Sequence, residues 1–260
     1  MTSPVGGVWR KIERADQHIK DLDRLRHRFG DEKKSKAVLC QVDPEDPEYV
    51  VWRLVDTRVP DGIRLILGDA VHNLRSALDY LVDILVRANE ATPGTYTAFP
   101  VWRKRGVPGR RPFGSLVAGK VRGVAPEVAY VFNALEAYEG GAHQALWTLD
   151  QLDILDKHRL PLLVTTCIAK RGVRVRVDNP DYSSRPVYLS FYYPTQHLKD
   201  GDVLGRLPRR GEPKLDDRMK FAFDIALGEP EVLRGELVIP ALAQMRKAVI
   251  ETVREFRVFL

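Results

Sequence analysis

Residues 71–85 read VHNLRSALDYLVDIL, and residues 149–163 read LDQLDILDKHRLPLL. In both stretches apolar residues recur at spacings of three and four, which is typical of amphipathic helices. Charged side chains stand among the leucines of both stretches. We therefore predict two helices, about 61–90 and 142–160, whose polar clusters either meet in a buried site or form two separate solvated faces.

Asp156 distinguishes these two interpretations. On a helical projection it falls inside the apolar arc of its own helix. An unpaired buried carboxylate is costly, so Asp156 needs a cationic or hydrogen-bonding partner. The candidates on the other helix are Arg75, His72 and Asn73. We predict an ion pair between Arg75 and Asp156. The complete predicted cluster, which would act in catalysis or serve only the structure, is His72, Arg75, Asp79, Asp156 and His158.

The order of elements along the chain indicates the fold class. A helix over 9–28 precedes a β-hairpin at about 36–56, and a helix with Pro240 in its first turn closes the chain. Before that last helix, apolar residues recur at every second position, which is typical of strands. The predicted strands there are 173–177, 187–193 and 220–227. Segregated runs of helices and strands favour an α+β fold, in which a helical bundle packs with a mostly antiparallel β-sheet and a C-terminal helix.

The same pattern divides the chain into two parts. Residues 1–165 are helix-rich with a hairpin, and residues 166–260 are strand-rich with the closing helix; we expect one cohesive unit. Two polar stretches, 92–126 and 200–218, are predicted as long surface loops, the first with one short helix. The sequence contains neither a GxGxxG motif nor a Gly-rich phosphate loop, which disfavours Rossmann and P-loop nucleotide binding.

The positive charge of the chain is concentrated in one segment. Residues 99–126 contain seven basic residues and no acid, and the formal net charge of the whole chain is +6. Cations interleaved with aromatic rings are typical of nucleic-acid-binding surfaces, since the cations bind phosphates and the rings stack on bases. The alternative is an ordinary solvated loop. The predicted nucleic-acid-binding residues are Trp102, Arg103, Lys104, Arg105, Arg110, Arg111, Lys120 and Arg122.

Other chemistries find less support in the residue spacing. The side chains that could supply metal ligands from two facing helices are His72, Asp79, Asp153, Asp156 and His158. No HExxH or ExxH pair occurs, and the cations Arg75 and Lys157 among the acids are more typical of salt bridges. A GxSxG nucleophile motif is also missing. We therefore expect no metal and no cofactor.

Several short motifs occur in an order that resembles a known family. Trp9 is followed by ADQHIKDL (15–22), HNLRSALDYL (72–81), FP (99–100) and LDQLDILDKHRL (149–160). Over about residues 9–165 this order is similar to a family of uncharacterised bacterial and phage proteins that share HNLRxALDYL and LDxLDxLDKHR segments. That family implies no established activity.

A weaker likeness is to the helical architecture of HEPN-type ribonucleases. Those enzymes use an Arg followed four to six residues later by a His. That spacing is absent here, because seven residues separate Arg64 from His72. The likeness therefore concerns architecture alone, which is a poor guide to function.

Three interpretations of the function remain open. The first is a nucleic-acid-binding (polyanion-binding) protein that acts through the basic loop. The second is a small hydrolase, for example a ribonuclease, that uses the His/Asp/Arg cluster, with His158 as a general acid or base. The third is an interaction protein whose cluster is purely structural. Apolar stretches are too short to cross a bilayer, and the N-terminus lacks a signal-like apolar core, so we expect a cytoplasmic protein with no membrane partner. The amphipathic terminal helices would allow two copies to associate.

Overall fold

The protein has an α+β fold with a C-terminal helix, as predicted. The computed structural model describes residues 5–36, 38–103, 113–158, 162, 164–168, 173–176, 188–189, 199–209, 214–215, 223–228 and 233–260. The helices are α1 Gly6–Lys36, α2 Asp61–Ala88, α3 Phe113–Lys120, α4 Pro126–Ala134, α5 Gln144–His158 and α6 Val238–Phe256. The strands are β1 Val38–Asp43, β2 Asp46–Leu54, β3 Val164–Ile168, β4 Val173–Arg176, β5 Tyr188–Leu189, β6 Val203–Pro208, β7 Lys214–Leu215 and β8 Phe223–Leu227.

The chain forms two compact units, each assembled from separate stretches. The first unit comprises Met1–Leu22, Arg64–Leu162 and Ile239–Leu260, and the second comprises Asp23–Ile63 and Leu163–Val238. The hairpin strands β1 and β2 thus belong to the second unit, and most of α6 belongs to the first. The predicted division of the chain near residue 165 stays a prediction, because compactness does not measure independent folding.

The core of the first unit is organised around α2. Its predicted apolar stripe is fully buried and consists, within this unit, of Leu67, Leu74, Leu78, Leu81 and Leu85. The stripe of α6 is also buried, and its last member, Phe256, stacks on Phe132 of α4 with ring centroids 4.3 Å apart. Phe132 in turn meets Phe99 edge to face at 5.6 Å. Burial of these stripes confirms the helical periodicity that was inferred from the sequence.

The described residues of the second unit form three small antiparallel sheets, with strand orders β1-β2-β6, β3-β8 and β5-β4-β7. The predicted hairpin of β1 and β2 is confirmed. Antiparallel pairing of β4 with β5 is confirmed as well, whereas β8 pairs with β3 in a separate sheet.

Part of the predicted polar loop 200–218 is in fact a strand. Residues Val203–Pro208 form β6, which pairs with β2. Arg206 on this strand donates to Asp43 at 2.6 Å and to Asp46 at 3.2 Å, and its guanidinium lies 4.1 Å from the ring centroid of Tyr49. The loop prediction was wrong because Gly205 and Pro208 obscure the alternation of buried and exposed residues.

None of the helices in the described part of the chain has the length and apolarity that a membrane-spanning segment requires. Both terminal helices bury apolar residues inside the first unit, among them Val8 and Ile12 of α1 and Met245 and Val249 of α6. Association of two copies through these helices stays a prediction.

Candidate functional site

Helices α2 and α5 run antiparallel in the first unit and meet along a row of polar residues. In order along the pair, the facing residues are Gly68 with Asp156, His72 with Asp153, and Arg75 with Asp150. Side chains three or four residues apart share one face of a helix, so the acids of α5, which occupy every third position, all face α2. We call this row the polar ladder. The two clusters predicted from the sequence therefore do meet.

Arg75 forms the buried end of the polar ladder. Its side chain is 9% exposed and donates to Asp79 Oδ1 at 2.5 Å and to Asp150 Oδ1 at 2.9 Å. Its Nη2 donates to the backbone oxygen of Phe99 at 3.2 Å, and the Phe99 N–H donates to Asp79 Oδ1 at 2.9 Å. Burial disfavours the charged guanidinium, but the charges and hydrogen bonds of Asp79 and Asp150 outweigh it and raise the pKa of Arg75. This end fixes α5 and the segment around Phe99 onto α2.

The predicted ion pair between Arg75 and Asp156 is wrong. Both residues are described, and Arg75 directs its donors to Asp79, Asp150 and Phe99 instead. Asp156 follows Asp150 by six residues on α5, which is about 9 Å along the helix axis. A helical projection identifies the face of a residue but not the axial register between two helices.

Asp156 occupies the opposite end of the polar ladder, where it lies over Gly68. A side chain at position 68 would place its Cβ 2.7 Å from Asp156 Cγ, so the carboxylate would have to shift to make room for it. Partial burial, together with the negative charges of Asp153 and Asp69, raises the pKa of Asp156, although a nearby histidine and lysine oppose the shift. No group within the described residues donates a hydrogen bond to this carboxylate. Asp156 is thus the acid of the polar ladder that has no hydrogen-bond donor among the described residues.

The middle of the polar ladder opens to solvent at His72. Its Nδ1 lies 3.1 Å from Asp153 Oδ1, and its Nε2 lies 3.3 Å from the Ser76 hydroxyl. The His72 side chain is 47% exposed, whereas Asp153 is 4% exposed. Lys157 donates to the other carboxylate oxygen of Asp153 at 2.5 Å. A buried carboxylate therefore orients an accessible imidazole.

His158 does not join the contacts of the polar ladder. It is exposed in the last turn of α5, and it forms no hydrogen bond or ion pair within the part of the chain that the structure describes. Of the predicted cluster, the structure brings His72, Arg75, Asp79 and Asp156 to the contact between α2 and α5.

Four of the eight predicted nucleic-acid-binding residues lie outside the described residues: Lys104, Arg105, Arg110 and Arg111. Trp102 is half-buried, and its backbone pairs with Ala137 and Tyr138. Arg103 is 83% exposed and lies 4.0 Å from Glu139. Lys120 ends α3 half-buried, and Arg122 is exposed.

Asp150 and Ser76 were not among the predicted cluster residues, and Asp153 was predicted only as a candidate metal ligand. The signal for the two acids is the repeat LDQLDILD at 149–156, in which an Asp follows each Leu at a period of three. That period keeps the acids beside the leucines on one face of α5. No comparable signal exists for Ser76, whose proximity to His72 follows only from the helical spacing of four.

In the described residues, no group of three His, Cys, Asp or Glu side chains is arranged to hold a metal ion. The chemistry of the polar ladder has to be inferred from its own geometry, because no family model, no curated protein and no solved structure matches the chain.

Proposed function

We propose that the protein is a cytoplasmic hydrolase in which His72 acts as the general base. One observation carries this proposal: the imidazole of His72 is half-exposed, and its Nδ1 contacts the buried carboxylate of Asp153 at 3.1 Å. A carboxylate that orients a solvent-accessible histidine is a common arrangement for general acid–base catalysis.

The contact with Asp153 favours one tautomer of His72. An ionised carboxylate only accepts hydrogen bonds, so Nδ1 carries the proton and donates it to Asp153. In the neutral ring Nε2 is then an acceptor, and it lies on the side of Ser76. Nε2 can therefore take a proton from a water molecule or from a substrate hydroxyl, while Asp153 stabilises the imidazolium that forms.

Ser76 is poorly placed to act as a covalent nucleophile. It lies in the interior of α2, where backbone N–H groups donate within the helix and none is free to stabilise an oxyanion. We infer that the Ser76 hydroxyl orients the ring or a bound water, and that the attacking group is a water or a substrate hydroxyl.

The test is hydrolysis of three substrates: bis(p-nitrophenyl) phosphate, a single-stranded RNA oligonucleotide and p-nitrophenyl acetate. Removal of a general base typically lowers a rate by about 10²- to 10⁴-fold. We expect a loss of that size for His72→Ala and a substantial loss for Asp153→Asn, which no longer supports the imidazolium.

His158→Ala is the matched control, because it removes a second exposed histidine from the same helix pair. This variant should keep the wild-type rate. Turnover that is lost in His158→Ala but kept in His72→Ala would overturn the assignment, and so would a wild-type protein that cleaves none of the three substrates.

A second candidate function is nucleic-acid binding without catalysis. The observation that favours it is the run of seven basic residues and no acid over 99–126, of which Arg103 and Arg122 are described and exposed. Exposed cations bind phosphates by releasing counterions, and the affinity then falls steeply with salt.

A salt titration of nucleic-acid binding separates this candidate from the first. Serine substitutions are made at Arg103, Lys104, Arg105, Arg110 and Arg111. Each phosphate contact contributes roughly 0.9 to the log–log salt slope on duplex DNA, so the loss of three to five contacts should flatten the slope by about three to five. An unchanged slope would exclude the segment as the binding site, and an absence of binding by wild type would remove this candidate.

A further inference from the structure

Two adjoining cavities lie against α2 beside the polar ladder. The first has a volume of about 420 Å³ and lies between α1 and α2, with Arg10, Lys11, Arg14 and Tyr80 in its lining. The second, of about 460 Å³, is lined by Tyr80, Asp79, Ile84 and Thr97 among others. Both volumes fall within the range of small-ligand sites. Tyr80 and Gly7 belong to both linings, so the cavities meet at the tyrosine ring.

Three cations line the first cavity, of which Arg10 and Arg14 are exposed and Lys11 is half-buried. Arg10, Lys11 and Arg14 form no ion pair within the described residues, and Lys11 Nζ lies 5.6 Å from the ring centroid of Tyr80. Uncompensated positive charge of this density is suited to a phosphate group, which arginine can bind through two parallel hydrogen bonds.

The second cavity has the features of a site for a planar heterocycle. The ring of Tyr80 is 47% exposed and can stack on a base, and Ile84 offers an apolar contact beside it. Asp79 Oδ1 is used by Arg75 and Phe99, while Oδ2 has no hydrogen-bond partner among the described residues. A free carboxylate oxygen accepts from the amino group of a base or from a sugar hydroxyl.

We propose that these two cavities form a nucleotide-binding groove. The phosphate binds to Arg10, Lys11 and Arg14, and the base stacks on Tyr80 with its donors directed to Asp79. The nucleotide is either free or one residue of a nucleic-acid strand, because both present the same phosphate and base.

The groove is well placed to serve the proposed hydrolase. Asn73, which also lines the first cavity, follows His72 directly on α2, and Tyr80 follows Ser76 by four residues, about 6 Å along the helix axis. The role of the groove as the substrate site of His72 rests on the proposed function, whereas nucleotide binding itself does not.

The experiment is a calorimetric titration with AMP, with inorganic phosphate and with a single-stranded RNA oligonucleotide. The first variant, Lys11→Gln with Arg14→Gln, should weaken AMP binding by at least about tenfold, because two charge-assisted contacts are lost. Tyr80→Leu should weaken it by about 5- to 100-fold through lost stacking, and Tyr80→Phe should bind nearly as wild type does.

The matched control is Lys20→Gln with Arg28→Gln, which removes the same charge from exposed positions of α1 outside the groove. It should leave AMP affinity unchanged. His72→Ala should bind AMP as wild type does, so that the binding result stands even if His72 proves not to catalyse hydrolysis.

The outcomes separate the possible ligands. If wild type binds AMP and the groove variants bind it more weakly, the proposal is supported with a free nucleotide as the ligand. Binding of the oligonucleotide alone, with the same response to the variants, supports it with a nucleic-acid strand as the ligand. The proposal is overturned if inorganic phosphate binds as tightly as AMP, if the groove variants behave like the control, or if no probe binds.

Discussion

The polar ladder has two halves, one around Arg75 and one around His72, and they differ in how far the basic side chain is exposed to solvent. At Arg75 the cation is buried, and its guanidinium donates to two carboxylates and to the backbone of Phe99. At His72 the imidazole is 47% exposed, although the carboxylate beneath it is buried. His72 and Ser76 stand four residues apart on α2, and Arg75, which lies between them in the same turn, is buried.

Because of this difference, Arg75 and His72 suit different roles within one pair of helices. A buried, fully paired cation cannot exchange protons or reach a substrate, so the Arg75 half serves to fix the helices in register. A half-exposed imidazole can do both, and its orientation depends on the register that Arg75 maintains.

The largest effect should come from Arg75. Arg75→Met leaves Asp79 and Asp150 without their shared cation, and removal of one partner of a buried pair typically costs about 3–5 kcal/mol. Arg75→Lys should recover only part of this loss, since an ammonium cannot reach all three acceptors in the geometry of a guanidinium. Urea unfolding followed by circular dichroism measures both variants.

Arg87 on the same helix is the control for this measurement. It pairs with Asp83 four residues earlier at 2.8 Å, but its side chain is 64% exposed. Arg87→Met should therefore leave the free energy of unfolding close to that of wild type, because solvent screens an exposed ion pair. Equal losses for Arg75→Met and Arg87→Met would contradict a special structural role for Arg75.

Gly68→Ala tests the close approach at the other end of the polar ladder. Alanine is normally better than glycine inside a helix by about 1 kcal/mol. Here the added methyl group would displace the carboxylate of Asp156, so we expect a net loss of about 1 kcal/mol instead.

Two comparisons sharpen the Gly68 result. Gly62→Ala, also on α2, meets nothing within 4 Å and should be neutral or stabilising. In an Asp156→Ala background the obstacle is gone, so Gly68→Ala should no longer destabilise the protein. A loss that persists in that background would show that Asp156 is not the cause.

His72→Ala should have a smaller effect on stability, below about 1 kcal/mol, because the ring is half-exposed and Asp153 keeps its contact with Lys157. Thermal unfolding of His72→Ala and Arg75→Met side by side measures the contrast. A loss in His72→Ala as large as that in Arg75→Met would make both halves structural.

The smallest effect is expected for Asp156→Asn, and it depends on pH. The raised pKa of Asp156 means that the folded state favours the neutral carboxyl. The wild-type protein therefore loses stability as the pH rises through the native pKa of this group, and the asparagine variant does not. We expect Asp156→Asn to be slightly more stable than wild type at neutral pH, with the difference vanishing in acid. The free energy of unfolding is measured for both proteins across this pH range. A difference between them that does not change with pH would contradict the raised pKa of Asp156.

Sequence periodicity predicted the faces of the helices but not how they meet. The buried stripe from Leu67 to Leu85 follows directly from the 3.6-residue period, since burial of one face is what stabilises such helices. The predicted partner of Arg75 was wrong because the axial register between two helices depends on the packing of whole helices. That packing includes the contact at Gly68, which has no side chain. Gly68 permits the close approach, and no local pattern in the sequence indicates that role.

The candidate site was predicted only in part, because periodicity predicts which residues share a helix face but not which residues of two helices meet. His72, Arg75 and Asp79 were identified because they share a face of α2 with one another. His158 was included as a candidate general acid or base that would meet Asp79 or Asp156, but it is exposed at the end of α5. The charge of residues 99–126 was read directly from composition, and its binding role stays a prediction.

Chemical rescue tests the central claim most directly. His72→Ala removes the imidazole and leaves Asp153 in place beside the vacated position, where free imidazole can bind. The rate of RNA oligonucleotide cleavage is measured for wild type, for His72→Ala and for His72→Ala with added imidazole. If His72 is the general base, cleavage falls by about 10²- to 10⁴-fold and imidazole restores part of it. A His72→Ala protein that cleaves at the wild-type rate, or whose loss imidazole does not restore, would contradict the claim.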